Sequence, residues 1–223
     1  MKTAAWKRKL AAIKGKTLIG LTGPAASGKS LALKYFRKEG AFCVSADAVS
    51  AEVLTSPACY NRILRKFSSD KILTNGLLDK KRLAAEVFNS PAKRKWLEVL
   101  LHPEILKRIH FLIIKSQAKI VVVEAPLLFE AGLESCFMLT LCLAAPEKTL
   151  RARALKRGWS GKEYRARAEA QFTAAEKCAR ADLVLDNAGK PAELKVRVRF
   201  ISDFIKQLTL TRKHERPTAG RKK

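Results

Sequence analysis

Three observations predict an α/β fold in which helices cover both faces of a mainly parallel sheet. Apolar strand-like runs alternate with segments of helical period, and such an order requires crossover connections. The runs Leu18-Ile19-Gly20-Leu21 and Ile120-Val121-Val122-Val123 are apolar without alternation, as expected of strands buried on both faces. Behind the first run comes Gly23-Pro24-Ala25-Ala26-Ser27-Gly28-Lys29-Ser30, a complete G-x-x-x-x-G-K-S phosphate loop. With 223 residues, 48% of them apolar, the chain is long enough for one sizeable core, and a single domain is expected.

In chain order, Thr17–Thr22 reads as a strand, 29–38 as a helix ending near Gly40, and Phe42–Ser45 as a second strand leading to Asp47. Helices are expected over 48–55 and 57–67. Asn75-Gly76 marks a turn, and Asp79 caps a further helix. Ser90-Pro91 opens a helix running to about Leu101, and Pro103 sits in the first turn of a separate helix over 104–117. The central strand is 119–124, and 137–143 is another. A helix over 146–157 follows, then a single longer helix over 162–181. A short strand at 183–185 and a closing helix over 193–208 complete the pattern.

Ligands of such sheets sit beyond the carboxyl ends of the strands, which selects Gly23–Ser30, Ser45–Asp47, Glu124–Glu130 and the segment after Leu143. Two glycines let successive N–H groups of the loop converge on one anion, and the helix that follows adds its positive end. Lys29 can reach the terminal phosphates, and Ser30 offers a hydroxyl to Mg²⁺. Asp47, beyond the second strand, can take the proton of an attacking hydroxyl, hold a metal-bound water, or cap the next helix. Glu124, ending the most apolar strand, suits a metal-orienting acid or a solvated strand end. Glu130 is a candidate cap or a partner for a basic neighbour. Arg151, Arg153, Arg157, Arg165 and Arg167 flank Gly158-Trp159-Ser160-Gly161, the composition of an arginine-bearing lid that neutralises transferring phosphate, or of an exposed basic helix pair.

The formal charge is +25, of which residues 1–16 and 206–223 contribute +6 each. Both ends are therefore expected to be basic, solvated extensions that fray. The remaining surplus suits a protein handling polyanionic small molecules, with nucleic-acid binding as the alternative resting on charge alone. Five scattered cysteines with no C-x-x-C pair read as reduced thiols in a cytoplasmic protein and give no zinc pattern. No apolar run approaches bilayer length, and the N-terminus lacks the apolar segment of a secretory signal.

In these residues the chain resembles the dephospho-CoA kinases over about residues 17–200. The resemblance is carried by I-G-L-T-G at 19–23, S-G-K-S at 27–30, A-D at 46–47 with Glu52, and W-L-x-x-L-L-H-P at 96–103. It continues through V-x-E-A-P-L-L-F-E at 122–130, P-E at 146–147, R-x-x-x-R at 153–157, Gln171, and A-D-L-V-L-D-N-A-G at 181–189. It implies a three-layer P-loop kinase fold comprising residues 17–210, with a helical acceptor-binding insertion at about 55–101 and a lid at about 150–175. Residues 1–16 and 211–223 are then basic extensions. It implies transfer of the γ-phosphoryl of ATP to the ribose 3′-hydroxyl of dephospho-CoA, with Mg²⁺. Asp47 is the implied base, Lys29 the phosphate clamp and Arg153 the lid arginine, with Arg151 and Arg157 as alternatives. ATP would be held by Gly23, Ala26, Ser27, Gly28, Lys29, Ser30, Leu31 and Asn187, the metal by Ser30 and Glu124, and the acceptor by Asp47, His102 and Glu130. A monomer or small homo-oligomer is expected. Ser45 stands where the family has the first acid of D-A-D, Pro24-Ala25-Ala26 where its loop is glycine-rich, and Ala51 where an arginine is common. Kinases of nucleosides, shikimate or gluconate are the alternative enzymes.

Overall fold

A computed structural model describes residues 2–88 and 90–214. The expected tail at 211–223 lies outside the described residues beyond His214. The chain divides into two compact units, each described by itself. One is Lys14–Ser45 with the chain from Ser116 onward; the other is Ala46–Lys115 with the N-terminal residues up to Ile13.

The sheet unit contains β1 (Thr17–Thr22), α2 (Lys29–Lys38) and β2 (Phe42–Ser45). The helical unit opens with α1 (Lys2–Ala11). It resumes with α3 (Ala46–Leu54), α4 (Pro57–Lys66), α5 (Ser69–Ile72), β3 (Leu73–Thr74), β4 (Leu77–Leu78), α6 (Lys80–Phe88) and α7 (Pro91–Lys115). The chain then returns to the sheet unit with β5 (Ile120–Glu124), a 3₁₀ turn at Glu134–Cys136, and β6 (Leu139–Ala144). α8 (Glu147–Lys156), α9 (Gly161–Glu169), α10 (Ala174–Arg180), β7 (Leu183–Asp186) and α11 (Pro191–His214) complete it.

Five strands form one sheet in the order β2-β5-β1-β6-β7, every pair parallel. Alternate residues of each strand face opposite layers, as the pleat requires. Ile19, Leu21, Val122, Leu141 and Leu143 share a core with Ala32, Leu33 and Phe36 of α2 and Leu194, Val198 and Ile205 of α11. On the other face, a side chain at Gly20 would run into Leu128 and Phe137, and Cys142 lies 3.7 Å from Cys178 of α10. Burial on both faces explains why these strands read as unbroken apolar runs. The register puts Ser45 of β2 and Leu21 of β1 on either side of Glu124, so three strand ends meet at one edge.

The structure corrects three expectations about helices. Residues 104–117 are not a separate helix: α7 runs through Pro103 without a break. Proline costs one backbone hydrogen bond and about 3 kcal/mol, and the buried stripe Leu100, Leu101, Leu106, Ile109 and Ile113 outweighs that cost. The single helix expected over 162–181 is two, because Ser160/Glu163 and Thr173/Glu176 each form a complete capping box and start separate helices. The first sixteen residues are not a solvated arm throughout. Helix α1 packs with α7: Leu10 is 4% exposed, and the Trp6 ring lies 5.6 Å from that of His110 with Lys9 above it. Its single acid-free charge pattern conceals an apolar stripe that needs only Trp6 and Leu10.

Where the sequence signals were local, the structure follows them. Asn75 and Gly76 both have positive φ and turn the β3–β4 hairpin. The Asp79 carboxylate accepts hydrogen bonds from the backbone of Lys81 and Arg82, holding its carboxyl below the ordinary range. All five cysteines are free, and burial raises the Cys43 thiol to about 11. No described helix is long and apolar enough to cross a membrane.

Because α1 is held by buried apolar contact, Leu10→Ala is expected to lower the unfolding free energy by about 2–4 kcal/mol in urea titration. A change below about 0.5 kcal/mol would return α1 to the status of a solvated arm.

Candidate active site

The phosphate loop occupies the turn from β1 to α2 at the carboxyl edge of the sheet. Gly23 has φ 145°, and a Cβ there would collide with the Leu143 carbonyl and stand 2.9 Å from Ser27 Oγ. Gly28 has φ 99° and begins α2; a Cβ there would strike the Asn187 side-chain amide. Both positions therefore need glycine on conformational and steric grounds. Asn187, just beyond β7, donates from Nδ2 to the Ser27 carbonyl at 2.7 Å, while its own N–H continues the ladder to Ala144 at 2.7 Å. Arg153 of α8 donates to the carbonyls of Asn187 (2.7 Å) and Gly189 (3.2 Å).

Lys29 is buried, and its Nζ donates to the carbonyls of Gly23 at 2.9 Å and Pro24 at 2.8 Å, which holds the ammonium within the turn. Ser27 Oγ is buried and makes no hydrogen bond among the described residues. A buried unpaired hydroxyl is costly, and an oxyanion lying in the loop would satisfy it. Ser30 is exposed in the first turn of α2, and Leu31 is half-buried beside it. Ala25 and Ala26 form a small core with Leu150, Ala154 and Tyr164, joined by Trp159, so the loop packs directly on α8 and α9.

Glu124 is 4% exposed at the end of β5. Glu130 lies in the segment that follows, where its Oε1 accepts from the Phe172 N–H at 2.7 Å and pairs with Lys177 at 3.0 Å. The arginine-rich helices meet as expected at Gly158, with Arg167 stacked 4.4 Å from the centre of the Trp159 ring. Asp47 and His102 belong to the helical unit. Asp47 is exposed in the first turn of α3, two residues beyond the end of β2. His102 is mid-helix in α7, where partial desolvation lowers its pKa and Glu98 opposes that shift.

The chain matches the family model described as dephospho-CoA kinase over residues 17–193. It is 32% identical to a dephospho-CoA kinase of Shewanella oneidensis, covering 87% of this chain and 96% of the relative. It is also 36% identical to one from Oryza sativa, covering 80% of each. Among solved structures, it superposes on a Thermus thermophilus protein with TM-score 0.76 at 32% identity, covering 86% of this chain and 98% of that one. A dephospho-CoA kinase from Campylobacter jejuni gives 0.64 at 26% identity, covering 87% and 99%. The chain belongs to the dephospho-CoA kinase family.

Helix α1 lies outside the span that matches the dephospho-CoA kinase family, as does the end of α11. Reading the sequence missed Lys177, which is fully buried beside Glu130. Its signal was positional: residues 174, 177, 178 and 181 form one helical stripe, otherwise Ala174, Cys178 and Ala181, so a lysine there points inward. The contact of Asn187 with the loop was also missed, because 160 residues separate the two partners.

The steric demand at Gly28 gives a direct check. Gly28→Ala is expected to weaken ATP binding by about tenfold or more, since both the αL backbone and the Asn187 contact must yield. Titration calorimetry giving wild-type affinity would show that this turn is not the nucleotide cradle.

Proposed function

We propose that the chain transfers the γ-phosphoryl group of ATP to the ribose 3′-hydroxyl of dephospho-CoA, giving coenzyme A and ADP, the last step of coenzyme A synthesis. The observation that carries this reading is a phosphate loop with a buried Ser27 hydroxyl that makes no hydrogen bond among the described residues, at the edge where Ser45, Glu124 and Leu21 stand in register, in a chain of this family.

The loop N–H groups, with Gly23, Ala26, Ser27, Gly28, Ser30 and Leu31, hold the ATP phosphates, and Lys29 moves its ammonium from loop carbonyls to the terminal phosphates. Asp47 accepts the proton of the 3′-hydroxyl as that oxygen bonds to the γ-phosphorus and the bond to the β–γ bridging oxygen breaks. ADP leaves with the bridging electrons. Arg153, Arg151 and Arg157 supply the positive charge of the lid, and Asn187 borders the adenine while bracing Ser27. His102 and Glu130 contribute to the acceptor side, the helical unit as a whole providing acceptor recognition.

Mg²⁺ fits the donor set. Among the described residues there is no cluster of three or more His, Cys, Asp or Glu for a metal. The hard oxygens of Ser30 and Glu124 suit an ion that arrives with phosphate and retains water. When bound, it neutralises phosphate charge. Five free thiols support a reducing compartment, the cytoplasm, as its site of action.

Purified protein with ATP, Mg²⁺ and dephospho-CoA is expected to release ADP, and far faster than with nucleosides, shikimate or gluconate. Faster turnover of any of those alternatives, or none with dephospho-CoA, would reject the assignment. Lys29→Ala and Asp47→Asn are each expected to lower turnover at least about a hundredfold with unfolding temperatures little changed. Wild-type turnover in either variant would remove that residue from its role.

A further inference from the structure

Lys177 is completely buried, and its ammonium meets three acceptors, matching its three donors: the Pro126 carbonyl, Gln171 Oε1 at 3.0 Å and Glu130 Oε1 at 3.0 Å. Two acceptors, Pro126 and Glu130, belong to the segment after β5, and the third, Gln171, to the junction between α9 and α10, so Lys177 of α10 ties three segments of the sheet unit together. Pro126 follows Glu124 by two residues, and its carbonyl also accepts from the hydroxyl of Thr22 at 3.3 Å, the last residue before the phosphate loop. Gln171 lies in the junction between α9 and α10, where the arginine-bearing helices return to the sheet. Glu130 Oε1 holds the same junction through the Phe172 N–H. Arg180 covers the Phe172 ring at 4.8 Å.

We propose that Lys177 is a positioning residue for phosphoryl transfer, fixing the base of the lid and the Glu130 carboxylate relative to the phosphate loop. The inference rests on the kinase reading above and deepens it. A buried ion pair contributes little net stability compared with apolar residues of the same volume, so packing alone is a poor reason for an ammonium at this point. What the ammonium does supply is a fixed junction of three segments whose mutual placement the chemistry depends on. Glu130 carries a further sign: with Oε1 committed to Lys177 and Phe172, its Oε2 is buried and makes no hydrogen bond among the described residues. Lys177 thereby sets the direction in which that oxygen is presented.

The mechanism predicts a loss in turnover rather than in ATP capture, because the loop that holds ATP is braced independently by Asn187 and Arg153. A shift of about 1 Å in the lid base is enough to cost on the order of a hundredfold in rate. Steady-state kinetics should therefore be measured for Lys177→Met, Lys177→Arg and Gln171→Ala with ATP, Mg²⁺ and dephospho-CoA, alongside thermal unfolding. Lys177→Met is expected to reduce kcat about 10- to 100-fold while KM for ATP stays within about twofold; Lys177→Arg, which keeps the charge, is expected to recover part of that loss.

Gln171→Ala removes one acceptor without stranding a charge, and it keeps the test open if Lys177→Met does not fold. It is expected to lower kcat about 3- to 10-fold at near wild-type stability. Wild-type kcat in Gln171→Ala, or in Lys177→Met assayed well below its unfolding temperature, overturns the positioning role and leaves the kinase reading standing. A wild-type chain that does not phosphorylate dephospho-CoA overturns both.

Discussion

The hydrogen bond from Asn187 to the Ser27 carbonyl is the constraint on which the site depends. A phosphate loop must turn its N–H groups inward, which turns some of its carbonyls outward and leaves them needing donors. At Ser27 the donor comes from just beyond the last strand, because β7 pairs with β6 and brings Asn187 to the loop. Arg153 then grips the Asn187 and Gly189 carbonyls, and charge-assisted bonds of this type are about twice as strong as neutral ones. The cradle near the start of the chain is therefore completed only when the final strand has joined the sheet. Such long-range closure is late and costly in chain entropy, which makes the site a product of the whole fold rather than of its motif.

The alanines in the loop change how it relates to α8 and α9. Ala26 has φ 62°, a conformation glycine adopts at less cost, by about 1 kcal/mol. Its methyl group and that of Ala25 are buried against Leu150, Ala154, Tyr164 and Trp159. Burying a methyl group recovers a similar free energy, so the two effects nearly cancel in stability. They do not cancel in mechanics. A glycine-rich loop could move without disturbing α8 and α9, whereas this one shares a core with them, and displacement of either must repack the other.

What was legible in the sequence was whatever short-range chemistry decides. The glycine-lysine-serine loop, the apolar strands, the Asn75-Gly76 hairpin and the Asp79 cap are each fixed by residues within a few positions of one another. Failures arose where distant contacts override local preference. Pro103 is a helix breaker by its own chemistry, yet a buried stripe extending on both sides carries α7 through it. In 162–181 the relevant signal was present, since Thr173 and Glu176 form a capping box, but helix-favouring residues on either side masked the break. The phosphate loop, Glu124 and Asp47 each stand at or just beyond the end of a strand, as the sequence pattern indicates. The partners of Glu130 were harder to read: the stripe that points Lys177 inward is readable from its helical spacing, but its pairing with a carboxylate 47 positions earlier is set by tertiary packing.

The charge of the chain takes a different meaning once its parts are assigned. The basic residues 1–16 read as a solvated extension, yet Lys9 lies over Trp6 and the helix bearing it is docked by apolar contact. In the sheet unit the cations divide into two physical kinds. Lys177 and Lys29 are buried and hydrogen-bonded to carbonyl, amide or carboxylate oxygens, which fixes their place in this structure. Arg151, Arg157 and Arg165 are exposed on or beside α8 and α9, and the field of such charges is screened by salt over about 10 Å. A buried, hydrogen-bonded cation fixes local geometry, whereas exposed cations contribute to the long-range field that attracts polyanions. Net charge by itself carries no information about which kind a residue belongs to; burial and hydrogen bonding do.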